Sequence, residues 1–145
     1  MEFKVDLVQQ HEFPAIVDVW EASVRATHHF LNEEDIAYFK PLILNEYLKA
    51  VDLRCVRDSA KNIIGFLGVA QQNIEMLFIH PNVRSKGIGK TLTEYAIKVL
   101  HCIKVDVNED NEQAVGFYQK MGFKIIGRSE LDGTGKPYPL LHMEL

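Results

Sequence analysis

The chain has 145 residues, 47% of them hydrophobic and 25% charged, with a formal net charge of −4. That length suits one domain with a sizeable buried core, and the acidic balance argues against a nucleic-acid binder, which needs a basic surface to neutralise phosphates. No apolar run approaches the ~20 residues of a membrane span, and the N-terminus lacks a signal-peptide pattern. Cys55 and Cys102 show neither metal-ligand spacing nor a disulfide framework, so both are expected as buried thiols of a cytoplasmic protein.

In chain order, Phe3, Val5 and Leu7 alternate with polar residues and predict a strand over residues 2–8. From His11 the period changes. Phe13, Ile16, Val17, Trp20, Val24 and Ala26 make a helical stripe, with Pro14 tolerated in the first turn. Residues 27–31 break it. Asn32 is placed to cap a second helix, with Asp35 in its acidic first turn and Ile36, Phe39, Ile43, Tyr47 and Leu48 on its inner face. Pro41 predicts a kink or an interruption there. Residues 53–57 and 63–71 flank a polar turn and read as a hairpin. Ile74, Met76 and Phe78 alternate with Glu75 and Leu77 in a further strand, which Pro81 stops. A helix is expected over residues 88–101, then a strand over 103–107. Asp110 is the candidate cap of the next helix, with Gln113 placed for a capping box and Gly122 suited to its C-terminal end. Residues 123–127 read as a strand, Gly133 and Gly135 as a turn, and 138–143 as a last strand broken by Pro139. No linker or repeat divides the chain, so residues 1–145 are expected to form a single domain of the α/β class with a mixed sheet.

Residues 84–89 read Arg-Ser-Lys-Gly-Ile-Gly and join a strand end to a helix carrying Leu92, Tyr95, Ala96 and Val99 on one face. Gly87 and Gly89 allow close approach to the backbone. The free N–H groups of the helix's first turn, with the positive end of its dipole, bind anions and phosphates above all. Gly89, Lys90 and Thr91 match the end of a P-loop, but Arg84 stands where that motif needs glycine. A dinucleotide fingerprint needs a third glycine where Leu92 stands. The remaining pattern, Arg-x-x-Gly-x-Gly, resembles the pyrophosphate loop of the GNAT superfamily of acyl-CoA-dependent N-acetyltransferases.

A second stretch carries the same resemblance. Asn111, Ala114, Phe117, Tyr118, Gly122 and Phe123 match the GNAT pattern Asn-x-x-Ala-x-x-Phe/Leu-Tyr-x-x-x-Gly-Phe, at the family's distance from the glycine loop. Segments 26–28, 127–130 and 135–141 resemble the YjaB-like branch of small bacterial GNAT proteins. The resemblance implies a GNAT-type fold: a mixed seven-stranded twisted sheet flanked by about four helices, with a V-shaped split between strands 4 and 5. It implies acetyl-CoA as cosubstrate and no metal. The pantetheine arm would lie along the backbone of Leu77, Phe78 and Ile79, and the pyrophosphate on Arg84, Ser85, Lys86, Gly87, Ile88, Gly89 and Lys90. Asn111 matches a position that contacts the cofactor arm, and Tyr118 matches the usual general acid.

The chemistry asks for few groups. An acceptor that arrives as an ammonium must lose a proton before it attacks the thioester. The oxyanion needs donors, for which strand N–H groups near Phe78 are candidates. The leaving thiolate needs a proton, which the Tyr118 hydroxyl can give. Glu75 and a histidine of the pair His28–His29 are the candidate bases. The expectation is transfer of an acetyl group from acetyl-CoA to a primary amine by direct attack in a ternary complex. The alternative is a non-catalytic acyl-CoA-binding sensor, against which Tyr118 and Asn111 speak. The acceptor, a small molecule or a protein amine, is not legible in the residues. A monomer or homodimer is expected, with no nucleic-acid or membrane partner.

Overall fold

The most apolar stretch, Ile63–Ala70, forms β3, whose interior residues are nearly all buried. The computed structural model describes residues 3–145, so residue 2 of the expected first strand lies outside the described residues. β3 lies between β2 (Asp52–Arg57) and β4 (Asn73–Ile79), and β1 (Val5–Leu7) pairs with β2. With β5 (Lys104–Asn108), β6 (Lys124–Ser129) and β7 (Leu140–Glu144) they form one mixed sheet in the order β1-β2-β3-β4-β5-β7-β6.

Period-two alternation sorts the core onto the two faces of this sheet. Cys55 and Phe66 join Ile16, Trp20, Val24 and Ile36, which belong to α1 (Phe13–Thr27) and α2 (Glu33–Leu42). Their neighbours Val56 and Leu67 point the other way, onto α3 (Ile88–Lys98) and α4 (Glu112–Lys120). Both cysteines are free and buried, and burial pushes each thiol up to about 11. Among the described residues no helix is long and apolar enough to cross a membrane.

Several boundaries differ from the sequence expectation, each for a local reason. A 3-10 turn over Gln10–Glu12 precedes α1, and its stripe uses Val19 while Ala26 is exposed. Asn32 caps α2 in a reciprocal pair with Asp35: Oδ1 accepts from the Asp35 N–H at 2.8 Å, and Asp35 accepts from the Asn32 N–H at 3.3 Å. Pro41 removes one backbone donor, and the chain leaves α geometry for a π-type turn over Ile43–Tyr47. α3 stops at Lys98, three residues short of 101, because His101 adopts φ +59° and the Cys102 N–H turns back onto the Ala96 carbonyl at 2.9 Å. Asn111, not Asp110, caps α4, accepting from the Ala114 N–H at 3.2 Å. Gly122, at φ +105°, closes that helix in the left-handed conformation. β7 begins after Pro139, at Leu140.

The split that defines the architecture lies between β4 and β5. Their parallel pairing covers only Asn73↔Lys104 and Ile74↔Val105. On the other side of β4, Val69 faces Ile74 while Gly68 faces Met76, so Glu75 is an extra, bulged residue. A bulge bends its strand and increases the local twist, and β4 parts from β5 where this one sits.

Candidate active site

The parted strands open a cavity of about 570 Å3. It draws walls from α1 and α2, β4, β5, α4 and the loop before β7. Of the residues singled out in the sequence, His28, Glu75, Leu77, Phe78, Asn111 and Tyr118 line it. Residues 84–90 do not; they lie beyond the end of β4. Ile79 also lies outside the lining, and His29 is exposed.

At the glycine loop, Ser85 and Gly87 both have positive φ, +67° and +89°. Gly87 is the N-cap of α3 and no side chain caps that end. A Cβ on Gly87 would meet nothing within 4 Å, so the space above the first-turn N–H groups is open. Lys86 and Lys90 are exposed beside it. Arg84 turns to α4, where its Nη2 donates to Gln113 Oε1 at 2.6 Å. Gln113 thus ties the loop to α4 and takes no part in the capping box expected of it.

Tyr118 is only 6% exposed, its ring edge-on to Phe117 at 5.2 Å and Phe123 at 5.7 Å. Burial pushes its phenol pKa up, which keeps the hydroxyl protonated. Among the described residues that hydroxyl has no hydrogen-bond partner, yet no buried side-chain polar atom is left orphaned, so it retains access to the cavity.

His28 ends α1, and its ring packs against Phe30 at 5.2 Å and Phe78 at 6.1 Å. The Thr27 hydroxyl gives its single hydrogen to the Ser23 carbonyl at 2.9 Å. Its oxygen, 2.7 Å from His28 Nδ1, must therefore accept, which puts the ring hydrogen on Nδ1 and leaves Nε2 with the lone pair. Burial, with smaller contributions from His29 and Arg84, holds the His28 pKa down at about 4.

Sequence reasoning missed part of the site. Asp106, Asp132 and Tyr138 also line the cavity. The signal for Asp106 was available: Val105 and Val107 belong to the core under α3 and α4, so the residue between them stands on the opposite face of the sheet. Tyr138 is a matter of tertiary contact. It donates a short hydrogen bond to Asp35, which Lys136 also engages at 3.2 Å, and these bonds pin the loop before β7 to α2.

Residues 29–145 match the family described as "Acetyltransferase (GNAT) domain". The chain is 41% identical over 135 residues to the peptidyl-lysine N-acetyltransferase YjaB of Salmonella typhimurium, covering 93% of this chain and 92% of that protein. The solution structure of apo-form YjaB from Escherichia coli superposes with a TM-score of 0.88 at 39% identity, over 99% of this chain and 97% of that one. The PaiA N-acetyltransferase of Thermoplasma acidophilum, solved in complex with coenzyme A, shares the fold over the full length of both chains, with a TM-score of 0.71 at 21% identity. The glycine loop, the split sheet and these matches agree: the chain belongs to the GNAT family of acetyltransferases, enzymes that take their acetyl group from acetyl-CoA.

Proposed function

We propose that the protein acetylates the ε-amino group of lysine in a protein or peptide, by direct attack with both substrates bound. The observation that carries this reading is the lining of the cleft. Glu75, Asp106 and Asp132 bring carboxylates to it, no lysine or arginine contributes, and the remaining wall is largely apolar. Such a channel suits a long aliphatic stem that ends in a cation. The Salmonella relative is named a peptidyl-lysine N-acetyltransferase, which supports the same acceptor. The reading takes residues 1–145 as one cytoplasmic catalytic domain, working as a monomer or homodimer.

Acetyl-CoA supplies the reactive thioester when bound. The residues present suit it: past Ile74, β4 has no strand partner on its β5 side, and the α3 N-terminus is uncapped beneath open space. The backbone of Leu77, Phe78 and Ile79 would hold the arm, and Arg84, Ser85, Lys86, Gly87, Ile88, Gly89 and Lys90 the pyrophosphate. Asn111 spends its Oδ1 on the α4 cap, which leaves its amide hydrogens for the arm. Tyr118, kept neutral by burial, gives its proton to the leaving sulfur. Of the candidate bases Glu75, His28 and His29, Glu75 suits the role better by position. It lines the cleft from the exposed bulge, where water can carry a proton away. The His28 ring is packed against Phe30 and Phe78 and serves as a wall of the cleft, and His29 lies outside the lining.

Incubation with acetyl-CoA and a panel of amines tests this, with products read by mass spectrometry. The panel comprises a lysine peptide, the same peptide with blocked lysine and a free N-terminus, spermidine and free amino acids. Acetylation of the lysine side chain is expected. Modification confined to the N-terminus, the polyamine or the amino acids overturns the reading.

A further inference from the structure

A second cavity, of about 280 Å3, adjoins the sheet where β4 and β5 still pair. Glu75 and Asp106 line both cavities, so these two carboxylates form the boundary between them. Lys104 and His142 also line the smaller one. His142 lies directly across from Asp106 in the β5–β7 pairing. Its ring is gripped at both nitrogens: Nδ1 is 2.6 Å from Asp106 Oδ1, and Nε2 is 2.6 Å from Ser129 Oγ on β6.

Both partners suit either charge state of the ring. A carboxylate only accepts, so Nδ1 carries a hydrogen toward Asp106 throughout. A hydroxyl both donates and accepts. Ser129 donates to Nε2 while the ring is neutral and accepts from Nε2–H once the ring is an imidazolium. The ring therefore gains a proton without losing a hydrogen bond, and the new charge lies against a carboxylate. The charged groups facing it across the smaller cavity are Asp106, Glu75 and Lys104, so negative charge predominates there. The His142 side chain is 36% exposed, which gives the proton an exit to solvent.

We propose that Asp106, His142 and Ser129 form the path by which the acceptor's proton leaves the active site. The inference rests on the lysine reading above. The N–H bond of the acceptor ammonium breaks and its electron pair stays on nitrogen, ready to attack. The proton passes the Glu75 and Asp106 carboxylates into the smaller cavity, which is roomy and polar enough for water. Water brings it to Ser129 Oγ, whose own hydrogen crosses to Nε2 of His142 as that oxygen turns from donor to acceptor, and the imidazolium then releases a proton to bulk solvent. Nothing is oxidised or reduced. Proton removal is thereby placed on the side of the sheet opposite Tyr118, whose ring belongs to the core under α3 and α4. His142 and Ser129 are relay residues that act through the boundary carboxylates.

The test is steady-state acetylation of a lysine peptide by the native protein, His142→Gln and Ser129→Ala. Each is repeated on a peptide carrying thialysine, whose amine is more acidic. For lysine, His142→Gln should lower kcat on the order of 100-fold while leaving the KM for acetyl-CoA unchanged. On thialysine, which has less need of a proton acceptor, the deficit should shrink. Ser129→Ala should act in the same direction but less strongly, and it carries the same comparison should the histidine variant fail to fold. A structural role would depress both amines alike. Native kcat in the His142→Gln variant, or an equal deficit on the two amines, overturns the relay alone. A native protein that binds acetyl-CoA and acetylates no lysine peptide overturns the acceptor reading, and the relay with it.

Discussion

Removing one oxygen separates chemistry from packing at Tyr118. In Tyr118→Phe the ring keeps its edge contacts with Phe117 and Phe123, at 5.2 and 5.7 Å, and the lost hydroxyl breaks no hydrogen bond to another described side chain. Stability should therefore change by less than ~0.5 kcal/mol. Deleting the ring in Tyr118→Ala, by contrast, empties a 94%-buried aromatic site and should cost roughly 3–5 kcal/mol. If the hydroxyl protonates the leaving sulfur, Tyr118→Phe should lower kcat on the order of 100-fold, about 2.7 kcal/mol of transition-state stabilisation. Release of the CoA thiol, followed with a chromogenic disulfide in the presence of a lysine peptide, reads the rate. Thermal unfolding of the same samples reads the fold. Full turnover by Tyr118→Phe would refute the acid assignment. A lost rate accompanied by a melting temperature as low as that of Tyr118→Ala would show that the hydroxyl holds the core.

Three further outcomes are expected. Glu75→Gln, at the exposed bulge of β4, should lower turnover on lysine at least tenfold while calorimetric acetyl-CoA affinity is retained; equal losses in both would mean that the bulge itself had collapsed. Gly87→Glu sets a side chain at φ +89° in open space above α3, at ~1–2 kcal/mol of backbone strain, and its carboxylate should weaken acetyl-CoA binding on the order of 100-fold by charge and bulk. Unchanged affinity would remove the glycine loop from the cofactor site. For His28 the pKa falls from 6.5 to about 4 on folding, so the unfolded chain binds more protons between those values and stability drops as pH falls through that window. The loss by pH 5 is about 2 kcal/mol, in a range above most carboxylate titrations. It should appear in the native protein's melting temperature and flatten in His28→Gln; a flat native profile would mean that the ring is not held buried and neutral.

Local signals carried far in this chain. The periods of 2 and 3.6 placed every strand and helix in order, because each needs only neighbours within a few residues to show which face is buried. The glycine loop and the Asn111–Phe123 segment were legible because their chemistry is local: a helix N-terminus with its adjoining turn, and a helix with its closing glycine. Errors came where two local solutions competed. Asp110 and Asn111 both offer a capping oxygen, and the structure uses Asn111, whose backbone N–H also bonds the Asn108 carbonyl at the end of β5. Helix propensity continues past Lys98, but burial of Cys102 draws the chain out of the helix.

The sequence by itself determined the family, the order of elements and the place of the glycine loop, all of which depend on residue types at short fixed spacings. Only the tertiary structure decided which groups meet in the cleft. The bulge that parts β4 from β5 follows from pairing with β3, not from any residue in Glu75's neighbourhood. His28 reads as a loop histidine until Phe30 and Phe78 close over it and drive its pKa down. Asp106, Ser129 and His142 are 13 and 36 residues apart along their hydrogen bonds. Such contacts exist only once three strands are in register, and no pattern of near neighbours encodes that register.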